Sequence, residues 1–584
     1  MRHFLLGLAC FLFYPVIGQE PYKNNQTYTY DQLQEVYSGL VKKEPRHCKL
    51  VQFGRSDYGK NVSLFMIEKN GGFTSKSFQK KSVLLINNAI HPGEPCGVDA
   101  SVQLAKTILA DTSLIPENVV IGIIPMYNVG GAHNRTCCSR ANQNGPEEYG
   151  FRGNAKNLDL NRDFIKCDSK NTQAFYKIFH FLNPHVFIDT HTSDGADYQH
   201  VMTLITSQID KMHPWLKEYT ESKLNPHLYE EMAKQNFDMV PYVHHMSQTP
   251  DNGIFDYLET PRYSTGYTNL FNCISYVSEA HMLKTYEQRV EATLALLNIT
   301  VNYMDANSTE LIQLKKKADL SNGQAEYFPL NWKLDTTQHK MIPFKGYTAE
   351  WTKSELTGAE RLSYNQSKPW EKDIAYYNSY TAIDSIKKPA YYIIPQAWTE
   401  VIIRLQMNNV QLDRLTKDLE LEVETYFIDD YSTVPNPYEG HYLHRTVELS
   451  KKTQTMHYIK GDYAVSCRDI KARFIVETLE PKAADSYFSW NFFDAILQQK
   501  EWFSSYVFEE KAKAILENDP NLKAEFEAKK KEDGDFAKDP FMQLYYIYKR
   551  SDNYERTHNQ YPVTRLMTEL NQDQISPAAK LIGG

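Results

Sequence analysis

His91 and Glu94 stand three residues apart in the turn Asn87-Asn88-Ala89-Ile90-His91-Pro92-Gly93-Glu94-Pro95. An imidazole and a carboxylate at that spacing, in a chain bent by Pro-Gly, can both turn toward one divalent ion. By itself the pair is more often two solvated side chains. Two later stretches add chemistry. Asn157-Leu158-Asp159-Leu160-Asn161-Arg162-Asp163-Phe164 offers an aspartate, an amide and a guanidinium, and Phe187-Ile188-Asp189-Thr190-His191-Thr192-Ser193 offers a second imidazole behind an apolar run.

The elements that must hold these residues are legible around them. Val83-Leu84-Leu85-Ile86 reads as a buried strand ahead of the His91 turn, and Val98, Val102, Ala105 and Leu109 recur at helical spacing behind it. A strand, a polar turn and a helix form the repeating unit of an open α/β sheet, whose carboxyl edge carries active sites. Residues 30–41 read as a helix, 53–56 and 62–67 as a hairpin entering the sheet, and 118–124 as another buried strand. That strand opens into a Gly- and Asn-rich loop over 127–156, a length that is usually functional. A helix over 171–182 leads to strand 186–188 and His191, and an irregular, tyrosine-bearing wall covers 241–267. Strand 272–278 ends at Glu279, and a long helix follows from 283 to about 303. The alternation predicts an α/β protein, an α/β/α sandwich.

In order and context the three motifs resemble the zinc metallocarboxypeptidases of the carboxypeptidase A/B type, whose pattern is His-x-x-Glu, then Asp-x-Asn-Arg, then a His after a strand. The resemblance runs from about residue 25 to about residue 305, and the chain reads as a divergent, exported member with a large carboxy-terminal extension. It implies a mixed central sheet and one Zn2+ held by His91, Glu94 and His191. It further implies Asp159 as the acceptor that orients the first imidazole, and Asn161 with Arg162 as the clamp on a substrate's terminal carboxylate. Glu279 takes the place of the catalytic general base, with Glu259 the next carboxylate along. Arg140, Arg135 and Arg152 all lie near the long loop, and the Arg-Ala-Asn-Gln context of Arg140 best matches the arginine that stabilises the oxyanion. Tyr257, Tyr263 and Tyr267 compete for the tyrosine that caps the substrate; spacing does not separate them, and Tyr267 is carried forward. Asp189 shares a face with His191 only if the strand runs that far, and it is given no role.

Two departures matter. The family's commoner His-x-Arg-Glu is here His-Pro-Gly-Glu, and Asn-Arg-Asn is Asn-Arg-Asp. The metal set survives both. The expected substrates are peptides with a free carboxy-terminal carboxylate, cell-wall peptides among them. The missing arginine raises the related zinc deacylases of N-acyl amino acids as the alternative. A non-catalytic binding protein on the same fold ranks lower, because every catalytic position holds an acceptable residue.

A chain of 584 residues exceeds the size at which one core keeps growing. The expected organisation is a signal peptide over 1–18, a catalytic domain over 19–305, a Lys-, Asn- and Ser-rich linker over 306–324, a β-rich module over 325–485 and a helical region over 486–584. The uncharged run from Phe4 to Ile17 behind Arg2 reads as a secretory signal, which implies a secreted or periplasmic protein. No later segment approaches the roughly 20 apolar residues of a membrane helix. A net charge of −8 leaves no basic surplus to bind nucleic acid. The oligomeric state is not fixed by the sequence. Without the leader the cysteines are odd in number, and one of the vicinal pair Cys137 and Cys138 is placed to bridge Cys167.

Overall fold

Apolar runs without alternation demand strands covered on both faces, and the sheet of the amino-terminal unit puts them at its centre. The structure, a computed structural model, describes residues 20–581; the expected signal peptide, 1–18, lies outside them. Within them the chain divides into two units, one running to Asp319 and including Lys333–Thr381, the other comprising Leu320–Trp332 and the remainder from Ala382.

The strands of the first unit's main sheet are β1 (Cys48–Arg55), β2 (Asn61–Ile67), β3 (Ser82–Asn88), β4 (Val119–Ile124), β5 (Val186–Ser193), β6 (Met202–Thr206), β7 (Val240–Pro241) and β8 (Ile274–His281). Their order is β1-β2-β4-β3-β5-β8-β6-β7. The four central strands, β4, β3, β5 and β8, are parallel, while β2 and β6 join them antiparallel, so the sheet is mixed. Among the unit's helices are α1 (Tyr30–Lys43), α2 (Cys96–Ala110), α3 (Lys170–Leu182), α4 (Ser264–Asn269) and α5 (Tyr286–Asn322).

Alternation along β5 shows the layering. A side chain added at Gly97 of α2 would strike Thr190, whereas Phe187 packs its ring on Phe175 of α3. Thr190 and Phe187 lie an odd number of residues apart, hence on opposite faces, and the two helices therefore cover opposite sides of the sheet. The expected α/β/α sandwich is what forms. From β3 the chain pairs β4 on one side and β5 on the other, which opens a crevice at the carboxyl edge where the order reverses.

The long helix does not stop where the sequence turns polar. Residues 306–324, expected as a linker, are mostly the second half of α5. No proline or glycine interrupts 286–322, and Leu311, Lys315 and Ala318 are buried. Asn307 departs from helical geometry, with φ −114° and ψ 15°, yet the next residue anchors the helix, Ser308 donating to the Asn118 carbonyl at 2.9 Å.

The boundary expected at 325 also moves. The hairpin of β9 (Lys340–Lys353) and β10 (Glu360–Tyr377) belongs to the first unit, because Phe344 and Ile374 share an apolar cluster with Tyr198, Val240 and Ile254. In the second unit, helices α6 (Ser505–Asn518), α7 (Pro520–Glu532) and α8 (Pro540–Tyr548) are where a helical region was expected, around Phe508, Phe526, Phe536 and Tyr548. Beyond them the chain returns to strand: Thr564–Leu566 pairs with Tyr391–Ile394 and buries Leu566 in that sheet's core.

Candidate metal centre

Each of the two imidazoles and the carboxylate is delivered by the edge of a central strand. β3 ends at Asn88, Ala89 takes a left-handed conformation at φ 58°, and the chain turns back so that Glu94 N–H donates to the His91 carbonyl at 2.8 Å. β5 runs on to Ser193, so His191 is still in the strand. His91, Glu94 and His191 are all buried, and one ligand atom from each lies within 4.8 Å of the others.

The orientation of the rings is specific. Nδ1 of His91 is 3.1 Å from one oxygen of Glu94 and Nδ1 of His191 is 2.8 Å from the other. The outward nitrogens face aspartates: His91 Nε2 lies 2.9 Å from Asp159 Oδ1, and His191 Nε2 lies 3.1 Å from Asp189 Oδ2. Two Nδ1 atoms and a carboxylate thus surround one point, with an aspartate behind each ring. This N2O donor set with outer carboxylates fits zinc.

Charges on the ligands suit a cation. Burial works against the charge of Glu94, but Arg140, His91 and His191 together hold its carboxyl well below its ordinary value. Burial likewise opposes a charged His191, and Asp189 and Glu94 overcome it, pressing the ring well above its usual range. A metal competes with that proton for the same Nδ1 atom. Asp159 is also held low, by His91, Arg152 and Arg162 against burial.

Asp189, given no role from the sequence, is therefore part of the centre. The missing signal was the length of β5, which carries Asp189 and His191 on one face. Asp189 also accepts from Ser264 Oγ at 2.5 Å and Asn87 Nδ2 at 3.3 Å, which fixes its carboxylate. Asp189→Asn is expected to weaken metal binding by about 10- to 100-fold, measured by competition with a chromophoric chelator. An unchanged affinity would reduce Asp189 to a packing residue.

The ligands lie at the floor of a cleft of about 480 Å³, whose walls include Arg140, Arg152, Asn161, Arg162, Tyr257, Tyr263 and Glu279. Glu279 stands directly beside His191 as its register partner on β8, and partners on adjacent parallel strands face the same side. Burial first, then the Glu94, Asp189 and Asp194 carboxylates, push Glu279 up to about 8 against the pull of His191. Arg162 lies with its guanidinium 4.4 Å from the centre of the Tyr263 ring, and Asn161 Oδ1 accepts from Ser264 N–H at 3.1 Å.

Of the three arginines, Arg140 and Arg152 line the cleft and Arg135 does not: its Nη2 donates to the carbonyls of Thr27 and Glu148, at 3.1 and 2.9 Å. Arg140 Nη2 reaches Glu94 at 2.6 Å, and its guanidinium fills the space where a side chain at position 93 would begin, Nε lying 2.3 Å from an added Cβ. A side chain at 93 would push the guanidinium from this position.

Tyr267 is a correction. It is fully buried in α4, stacked on Tyr176 at 5.0 Å and 9°, and its hydroxyl turns to His180. The short helix at 264–269 was not foreseen and points this ring into the apolar layer. Tyr257 and Tyr263 line the cleft, together with Tyr242, which the sequence did not single out. Glu259 is also withdrawn, buried with its carboxylate on Gln208 N–H. The vicinal cysteines bond to each other, so neither reaches Cys167.

The family model for zinc carboxypeptidase matches residues 33–293. Carboxypeptidase 2 of Trichophyton tonsurans is 19% identical over 477 residues, covering 78% of this chain and 83% of its own. Carboxypeptidase D of Drosophila melanogaster is 30% identical over 155 residues, 25% of this chain and 10% of that protein. Among solved structures, a metallo-carboxypeptidase from Burkholderia cenocepacia aligns with 48% of this chain and 70% of its own at 17% identity and a TM-score of 0.36.

Proposed function

From the premise that residues 33–293 belong to the zinc carboxypeptidase family, we propose that the protein hydrolyses the last peptide bond of peptides with a free carboxy-terminal carboxylate. One zinc ion would be held by His91, Glu94 and His191. The observation that carries this is the convergence of both Nδ1 atoms on the two oxygens of Glu94. When bound, zinc supplies a Lewis acid for the scissile carbonyl and acidifies water. The remaining work falls to the chain. Glu279, beside His191, accepts the proton of the attacking water and returns it to the leaving amine. Arg140, with Arg152 nearby, offers donors to the oxygen on which charge develops. Arg162, steadied over Tyr263 and flanked by Asn161, pairs with the terminal carboxylate, and its planar fork suits that bidentate contact. Tyr257 or Tyr263 covers the bound residue. Export to the periplasm or beyond rests on the apolar run of 4–17; among the described residues no helix is long and apolar enough to cross a membrane.

The test is a mixed peptide library and an N-acyl amino acid panel offered to the zinc-loaded protein, with products read by mass spectrometry. Single carboxy-terminal residues are expected to be released. Amidation of the substrate's terminus, or Arg162→Ala, should raise KM by an amount worth on the order of 2–4 kcal/mol, the loss of a charge-assisted pair. Equal hydrolysis of free and amidated peptides would sink the exopeptidase reading. Turnover confined to N-acyl amino acids would favour the deacylase.

A further inference from the structure

A second cavity, about 300 Å³, opens between the β9–β10 hairpin and the loops at 197 and 249–251. Its aromatic walls are Phe344, Tyr347, Tyr364 and Trp370, and its carboxylates are Asp197 and Asp251. The hairpin lies outside the stretch 33–293 that matches the family model, while Asp197 and the 249–251 loop lie within it. Gly346 permits it: an added Cβ there would meet the Trp370 indole at 2.3 Å, its register partner across the hairpin.

Asp197 is the informative residue. Its side chain is 8% exposed, Oδ2 accepts from Gln366 at 2.8 Å, and Oδ1 has no hydrogen-bond partner. A buried carboxylate oxygen without a donor is costly, and such groups mark places where a ligand supplies the missing partner. The nearest resident cation, Lys284, donates to the Tyr198 carbonyl and stays 3.9 Å from Oδ1. Asp251 differs: it is exposed, its Oδ1 accepts from Thr249 Oγ1, and Lys372 lies 3.7 Å from Oδ2. Both lysines thus stand outside hydrogen-bonding distance of the carboxylates they face. The rings are suited to cations as well, since Lys372 already lies 4.9 Å over Trp370 and Lys284 5.7 Å over Tyr347. The carboxylates also reach the walls: after burial, Asp197 and Asp251 are what raise the Tyr364 hydroxyl.

We propose that this cavity is a subsite for a cationic side chain, the lysine or arginine of a bound peptide. Its link to catalysis rests on the peptidase reading above. Cavity and cleft are joined through neighbouring residues. Tyr198, next to Asp197, touches the cleft residue Ser193 through its hydroxyl at 3.3 Å, and Met282 of the cleft precedes Lys284 by two residues. A substrate extending upstream of the scissile bond would place a basic residue against Asp197.

The binding test uses the full zinc-loaded chain and acetyl-Lys-Lys-Lys-amide, with the norleucine analogue as control, followed by calorimetry. The lysine peptide is expected to bind, and Asp197→Asn to weaken it by at least about tenfold, as befits a desolvated charge pair. Lys372→Met removes a competing resident cation and should tighten binding about threefold, a change that misfolding cannot produce. In kinetics, Lys over norleucine at one upstream position should raise kcat/KM by about tenfold, and Asp197→Asn should erase that preference while an N-acyl dipeptide is hydrolysed as before. Equal binding of the two peptides, unchanged binding in Asp197→Asn, or capture of a neutral oligosaccharide such as chitotriose in their place would overturn the proposal. Asp197-dependent binding without hydrolysis of any peptide would uphold the subsite and sink the peptidase reading alone.

Discussion

Glu279→Gln is expected to leave the zinc content and substrate affinity nearly intact while lowering kcat by at least about 10²-fold, the smaller end of what a positioned base contributes. The amide keeps the shape of the side chain and cannot accept a proton. Register makes the effect specific, since Glu279 is the partner of His191 and faces the same crevice. Its carboxyl, pushed up to about 8 by burial and neighbouring carboxylates, is a stronger base than an exposed glutamate. A bound cation would lower that value, but the burial remains. Glu94→Gln should behave differently, with metal lost before turnover is. Metal analysis beside steady-state kinetics separates the two, and near-normal turnover by zinc-loaded Glu279→Gln would remove the residue from the mechanism.

His191→Ala should lose a full equivalent of zinc and with it all measurable hydrolysis. One imidazole of three ligands disappears, and the Asp189 carboxylate behind it is left buried beside an empty space. Stability reports the same event independently. If zinc binds only the folded state, a thousandfold excess over its Kd stabilises by about 4 kcal/mol. Chelation should therefore lower the unfolding midpoint of the wild-type protein and leave that of His191→Ala unmoved. A zinc-dependent midpoint in His191→Ala, with a full equivalent bound, would place the ion elsewhere.

The chemistry was legible in the sequence where it depended on short spacing inside one turn or strand. His91, Glu94, His191, Asn161, Arg162 and Glu279 are motif residues, and the fold brings all of them to one cleft or its floor. What the sequence hid depended on where elements end. Asp189 was missed because a strand's last residues, Asp-Thr-His-Thr-Ser, carry no apolar signature. Tyr267 was misplaced because a six-residue helix inside an irregular stretch reverses which tyrosines face outward. The linker at 306–324 failed for a related reason: charged residues on a helix surface look like a loop when the buried residues between them are few. The hairpin at 340–377 fell inside the module expected to be β-rich, but its attachment to the first unit depends on long-range apolar contact, which periodicity does not encode.

The pairing of His191 with Glu279 also shapes how this protein can change over generations. Ligand and base sit on adjacent strands whose side chains alternate, so a single inserted or deleted residue in either would turn one of them to the far side of the sheet. Such lesions end the lineage of the activity. The hairpin beyond 340 carries no such constraint, whereas the loop over 125–159 is free only between the residues that reach the centre, Arg140, Arg152 and Asp159. Selection can lengthen, trim or recruit these segments and so redirect the enzyme toward new substrates, while the strands that hold the reactive centre stay closed to insertion.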